Sequence, residues 1–327
     1  MLPIAMVTGA SIYLLYHILP ESLHRIGPFL SSAVSVLQPL LIFSMLFLTF
    51  CRIEPKDLKP HRWHWWLLLI QGGLFSALGL LALWVIKAFP GDFHDKIILI
   101  ESAMLCLICP TATAAAVVTG KLGGDVPGIT TYVVLINILA ALLVPLIVPV
   151  LHPVEGMDFW TAFSMIMVKV FPLLITPCLC AWIVRYMAPK AHRWLMRYPD
   201  LPFYLWAVAL TLAITVTTKS IVNSTITFRL LLLMALVSLI CCIFQFAAGR
   251  FVGSRYRPRY YSPSVVERGK EIRKVTAGQA LGQKNTVFAI WMAYTFMIPE
   301  TAIIGGLYSI WHNFYNSHQL RKVSKSR

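Results

Sequence analysis

Four features of this sequence place polar chemistry inside apolar surroundings. Gly282-Gln283-Lys284-Asn285-Thr286 sets an ammonium among two amides and a hydroxyl, at the break of an apolar stretch. Glu101 is the one acid that falls clearly within such a stretch, and Lys169 is the other cation that does. Pro110 is followed by Thr111 and Thr113, spaced by alanines. Polar and ionisable groups in such settings are costly; they are kept where they pair, line a wet cavity or meet an ion. Their chemistry is the binding of charge. No His-Glu-x-x-His is present, no Ser stands with a placed His, and Gly123-Gly124-Asp125 lacks the second intramembrane Asp of an aspartyl protease. His312 has no partners for a metal site, and the seven cysteines have no zinc spacing, so they read as small packing residues.

The elements that must position these residues are helices in a membrane. Of 327 residues, 58% are hydrophobic and 13% charged, roughly half the charged share of an average soluble protein. That excludes secreted domains, soluble enzymes and nucleic-acid binders. Stretches of about 20 apolar residues fall near 2–19, 33–51, 63–88, 97–117, 125–151, 158–187, 200–219, 225–250, 272–293 and 296–317. The first begins at the initiator Met with no basic region before it, and reads as a span rather than a cleaved signal.

Charge gives the expected orientation. Of 28 Lys and Arg, 21 lie in the connections and tail on the N-terminal side of a ten-span layout and 5 on the other. Positive residues mark the cytoplasmic side, so both termini are expected there, in the cell (inner) membrane. The polar stretch at 251–271 reads as a cytoplasmic loop on anionic headgroups, and 318–327 as a basic cytoplasmic tail.

Proline removes a backbone hydrogen bond, and a break within lipid is tolerated where it faces protein or water. Pro110 breaks the fourth span and the Gly278/Gly282 pair breaks the ninth, which is the fourth of the second five. Five spans per half make the halves inverted. Matching breaks in inverted repeats point to the binding site of a secondary transporter. The expected architecture is all-α, with one five-helix repeat over 1–151 and a second over 158–317. Thr111, Thr113 and Thr286 begin the segments after each break, where free N–H groups favour anions; alternatively they satisfy broken backbone. Lys169, near mid-depth, reads as a cavity cation that would attract an anionic substrate; its alternative is snorkelling. Glu101 is a functional carboxylate or an interfacial cap.

Cys109-Pro110-Thr111-Ala112-Thr113-Ala114 with Gly124-Asp125, Gly282-Gln283-Lys284-Asn285, and Leu307-Tyr308-Ser309-Ile310-Trp311-His312-Asn313 resemble the bile acid:sodium symporter family. The likeness is to a bacterial-type member within the wider bile/arsenite/riboflavin transporter group. The resemblance implies a core domain with crossing broken helices (spans three to five and eight to ten) and a panel domain (spans one, two, six and seven). Substrate would lie in the cleft between them and move by alternating access.

This sequence also departs from the family. The resemblance puts sodium-ligand positions at Ala115, Ala116, Ala280 and Val133, none of which has a side-chain oxygen, while Gln71 is kept. Lys284 stands where the family has Gln. The usual sodium sites are therefore expected to be lost. An ammonium at Lys284 would repel sodium and could stand in for it. Burial disfavours the charged form, which makes Lys284 a candidate proton carrier as well. No cofactor and no metal are expected. The expected function is transport of a small organic anion, bile-acid-like or another carboxylate or sulfonate, without catalysis. The alternatives are a conventional sodium symporter and, from other classes, an ion channel or an intramembrane enzyme.

Overall fold

The structure, a computed structural model, describes residues 2–18, 27–89, 91, 93–198, 200–224, 226–255 and 263–325. The helices are α1 (Leu2–Ile18), α2 (Gly27–Cys51), α3 (Arg62–Ala88), α4 (His94–Ile108), α5 (Ala115–Lys121), α6 (Val126–Leu151) and α7 (Phe159–Leu174). They continue as α8 (Thr176–Met187), α9 (Pro189–Met196), α10 (Leu201–Asn223), α11 (Phe228–Arg255), α12 (Pro263–Gly282), α13 (Thr286–Phe296) and α14 (Ile303–Lys325).

Six segments are long and apolar enough to cross a membrane: α2, α3, α6, the α7–α8 pair, α10 and α11. The protein is an all-helical integral membrane protein. The other expected spans fall short by that measure for identifiable reasons. α1 has 17 residues, α4–α5 and α12–α13 are interrupted, and α14 carries a polar second half.

Three local expectations are revised. The span at 158–187 is two helices joined at Ile175, between Pro172 and Pro177, because each proline denies the ladder a donor. The loop at 251–271 is helical up to Arg255 and again from Pro263, with 256–262 outside the described residues. The tail from 318 continues α14 as helix to Lys325.

Helix starts follow from local chemistry. Asp125 caps α6 by accepting from Gly128 N at 3.1 Å, and Asp158 caps α7 by accepting from Trp160 N at 3.2 Å. The Thr161 hydroxyl, together with these amides, holds the Asp158 carboxyl below the ordinary carboxylate range. Gly123, at φ 76°, turns the chain from α5 toward α6.

The helices pack as two groups. On one side α10 packs against α1 and α2, and α2 against α8. α3 pairs with α4 and α6, and α11 with α4, α12 and α14. α12 is too polar for lipid, and its last turns, from Thr276 on, are buried among its neighbours. Gly249 and Gly253 of α11 bring that helix against the backbone of Ala277 and Arg273, so close that a Cβ would collide. Small residues four apart allow such approach where no hydrophobic force drives helices together in lipid.

Candidate functional site: a helix crossing and the cavity beside it

The two breaks meet. Asn285 N donates to Pro110 O at 2.8 Å, Ala112 N donates to Gln283 O at 2.9 Å, and Thr111 and Lys284 form an antiparallel bridge. Cys109, before Pro110, is extended at φ −51°, ψ 130°, as a residue preceding proline prefers. The last turn of a helix leaves carbonyls without partners, and side chains from elsewhere fill several of those at the end of α4. Gln245 Nε2 donates to Cys106 O at 3.1 Å, Lys284 Nζ to Leu107 O at 3.0 Å, and Gln71 Nε2 to Cys109 O at 3.1 Å. On the other strand, Thr111 Oγ1 donates to Ala280 O at 2.6 Å and Tyr308 OH to Gly282 O at 2.8 Å.

Lys284 is 2% exposed. The negative end of the α4 dipole is a favourable place for a cation, and the hydrogen bond to Leu107 O partly offsets the burial of the ammonium. The thiols of Cys106, Cys109 and Cys241 are its near polar neighbours; all seven cysteines are free. Asn285 caps α13 by accepting from Phe288 N at 3.2 Å. Gly282 is dictated by space, not by φ: a Cβ there would lie 2.5 Å from the Phe246 ring.

The positions that the resemblance assigns to sodium ligands are apolar in place as well as in type. Ala115 and Ala280 are fully buried in one cluster with Ile129, Tyr132 and Leu281, and Val133 is buried at 1% exposure. Gln71 is held on both sides, since Tyr132 OH donates to its Oε1 at 2.8 Å.

A cavity of about 880 Å³ lies beside the crossing, among α1, α2, α7, α10 and α13. Lys169 lines it, with its Nζ 5.7 Å from the Phe296 ring centre. Lys219 lines the far end and donates to Ser31 Oγ at 3.2 Å. Tyr13, Gln38, Asn223 and Tyr294 add hydrogen-bonding groups, and among the described residues no acid lines it. The walls are otherwise largely apolar, with Ile12, Leu30, Val34 and Trp291. None of Thr111, Thr113, Lys284, Asn285 or Thr286 is a lining residue. These five are buried at the crossing.

The two regions share α13. Asn285 caps it within the crossing, while Trp291, Tyr294 and Thr295 face the cavity. Nine residues of helix separate Asn285 from Tyr294, about 13 Å. Gln38 of α2 reaches α13 just beyond the break, with Nε2 3.5 Å from Val287 O. Tyr294 OH donates to Val216 O at 3.2 Å and also bonds the Ser220 hydroxyl, tying α13 to α10.

Glu101 sits elsewhere. It is fully buried, pairs with His152 Nε2 at 2.6 Å and accepts from Ile298 N at 3.3 Å. It joins α4 to the end of α6 and to the segment before Pro299. Trp311 donates to Ser238 Oγ at 2.9 Å, a packing contact between α14 and α11. Sequence reasoning missed the cavity residues Tyr13, Gln38, Lys219 and Tyr294, which lie at ordinary helical spacing with no local motif.

No curated protein matches this chain. The model of the sodium bile acid symporter family matches residues 39–227, which include Cys109-Pro110 and, of the cavity residues, Lys169, Lys219 and Asn223. The chain belongs to that family of membrane transporters.

Proposed function

We propose that the protein is a secondary active transporter of a small amphipathic organic anion, with a fixed ammonium at Lys284 in place of bound sodium. The observation that carries the reading is the cavity: about 880 Å³, largely apolar, with Lys169 and Lys219 and, among the described residues, no acid in its lining. Such a site suits an apolar body with one anionic group, a bile-acid-like carboxylate or sulfonate.

The proposed architecture is ten spans in two inverted five-helix repeats over 1–151 and 158–317. The mutual crossing of the breaks at Pro110 and at Gln283–Asn285 supports it. Both termini are proposed to be cytoplasmic in the cell membrane, on the strength of the charge bias. In alternating access, α13 links substrate to crossing, because one rigid helix carries a cavity wall at Tyr294 and the crossing cap at Asn285.

Loss of sodium coupling is supported by Ala115 and Ala280 packing in an apolar cluster and by the ammonium within hydrogen-bond reach of Leu107 O. Sodium requires several oxygen ligands, and a cation already occupies the end of α4. Lys284 can act as a permanent charge or as a proton carrier. The family to which the chain belongs favours a second reading, conventional sodium coupling through backbone carbonyls.

Uptake of candidate anions into proteoliposomes, with sodium and pH gradients imposed separately, tests the proposal. Uptake is expected to persist in choline or potassium. Steep sodium dependence would overturn the sodium-free reading. Ion current that never saturates, or chemical conversion without movement, would overturn transport itself.

A further inference from the structure

The connection between α8 and α10 contains a short helix, α9, whose two faces differ in kind. His192, Leu195 and Met196 turn inward: Leu195 and Met196 pack against the main hydrophobic core, and α9 contacts α2. Lys190, Arg193, Trp194 and Arg197 are exposed, and their spacing of i, i+3, i+4 and i+7 puts them on one stripe. Trp194 is 54% exposed, with Tyr198 at 48% and Met187 at 80% beside it. No ion pair engages Lys190, Arg193 or Arg197 among the described residues.

The helix is also held firmly. His192 Nε2 donates to Cys51 O at 2.8 Å, and Arg185 Nη1 donates to the same carbonyl at 3.2 Å. The second arm of Arg185 meets Glu54 Oε1 at 2.7 Å, and Glu54 also pairs with Lys56. Cys51 ends α2, the helix that carries Gln38 and Ser31 into the cavity. The acid of this clamp, Glu54, is therefore already engaged.

We propose that α9 is a docking site for anionic phospholipid. Its stripe begins three residues after the end of the α7–α8 span, at the depth of the headgroups. It combines three cations, which meet phosphate, with an indole and a phenol, which favour the membrane interface. A soluble anion would match the cations but leave Trp194, Tyr198 and Met187 in water. The clamp on Cys51 O presents the stripe in a fixed pose and joins a lipid-facing helix to a cavity helix.

Each basic residue at an anionic surface favours it by roughly fivefold. Native mass spectrometry of the full-length protein, incubated with phosphatidylglycerol and phosphatidylcholine in equal amounts, reads this preference without any transport assay. The wild type should retain phosphatidylglycerol about tenfold or more over phosphatidylcholine. The triple variant Lys190→Gln, Arg193→Gln, Arg197→Gln should lose most of that preference, leaving only the share that the basic 251–271 stretch supplies. Lys190→Arg, Arg193→Lys, Arg197→Lys should keep the preference, since charge rather than shape is being read. Arg321→Gln with Lys322→Gln, at the end of α14, should leave it unchanged. An undiminished preference in the triple Gln variant, or none in the wild type, overturns the proposal. So does displacement of the retained lipid by inorganic phosphate alone, because the aromatic half of the stripe would then contribute nothing.

Discussion

Lys284, in the break between α12 and α13, and Lys169, within α7, are both cations set among apolar helices, yet their surroundings are opposites. Lys284 is 2% exposed, bonded to Leu107 O at the end of a broken helix. Lys169 is exposed and lines the open cavity, with its Nζ 5.7 Å from the Phe296 ring centre. At the crossing, most polar groups are spent on the protein's own broken backbone: Thr111 on Ala280 O, Gln71 on Cys109 O, Tyr308 on Gly282 O. In the cavity, polar groups from five helices line an open volume. Breaking two helices in lipid frees carbonyls and amides that cost several kcal/mol each if left bare. A crossing that satisfies them has little left for substrate. The comparison assigns support and coupling to one region, and recognition to the other.

The largest effect should come from Lys284→Gln. The glutamine amide can still donate to Leu107 O, so the variant is expected to fold and to melt within about 1 kcal/mol of the wild type. Uptake in proteoliposomes should nevertheless fall about a hundredfold, the scale associated with losing a buried charge from its pairing. Added sodium should not rescue it, because Ala115 and Ala280 supply no oxygen. If Lys284 carries the proton, pH-driven uptake should vanish while substrate exchange survives. Unchanged uptake from pH 5 to pH 9 would make Lys284 a bystander and erase the contrast between the two lysines.

Gly282→Ala probes the crossing by shape alone. The added Cβ would meet the Phe246 ring at 2.5 Å, and overpacking of this kind costs about 1–3 kcal/mol. Thermal unfolding in detergent should show the loss, and Phe246→Leu in the same chain should recover part of it. No loss would mean that the ring moves aside freely, and the crossing would not be the rigid support described here.

The two regions were unequally legible in the sequence. The crossing announced itself, because a proline with small residues and a glycine-amide-ammonium run are rare in apolar spans and stood in matching places. Their roles were harder to read. A hydroxyl after a break is equally suited to an anion and to a carbonyl, and only the 2.6 Å bond to Ala280 O shows where Thr111 is engaged. Glu101 read as a functional carboxylate or an interfacial cap, since its partner His152 is 51 residues away and nothing local predicts the pair. The cavity was nearly invisible. Tyr13, Gln38, Lys219 and Tyr294 belong to α1, α2, α10 and α13, and only packing brings them together. Lys169 was the exception, because a cation at mid-depth is conspicuous wherever it points. The break at Ile175 and the helix α9 had signals in Pro172, Pro177 and Pro189 that the apolar periodicity masked.

Lys169→Gln should act on recognition without touching the fold. The side chain is exposed to the cavity, and no buried partner is stranded by its removal, so melting should not shift. The KM for an anionic substrate should rise roughly tenfold, equivalent to one charge-assisted hydrogen bond. A fall in kcat at constant KM would place Lys169 in the coupling machinery instead, and the division between the regions would have to be redrawn.

The smallest effect separates the regions most cleanly. Arginine keeps the charge of lysine but replaces a compact ammonium with a wide, planar fork of five donors. In the cavity, Lys169→Arg has space, and its positive charge remains available to an anion. Uptake should stay within about twofold of the wild type, as expected where charge outweighs shape. At the crossing, the same substitution at Lys284 must fit a guanidinium where Leu107 O is the one bonded acceptor and Cys106, Cys109 and Cys241 close in. Donors left bare there are not solvated, so Lys284→Arg should unfold at lower temperature and transport poorly even though the formal charge is preserved. Equal tolerance at both positions would show that the ammonium at Lys284 is reached by water, contrary to its 2% exposure. The crossing would then have to be counted as part of the substrate's path.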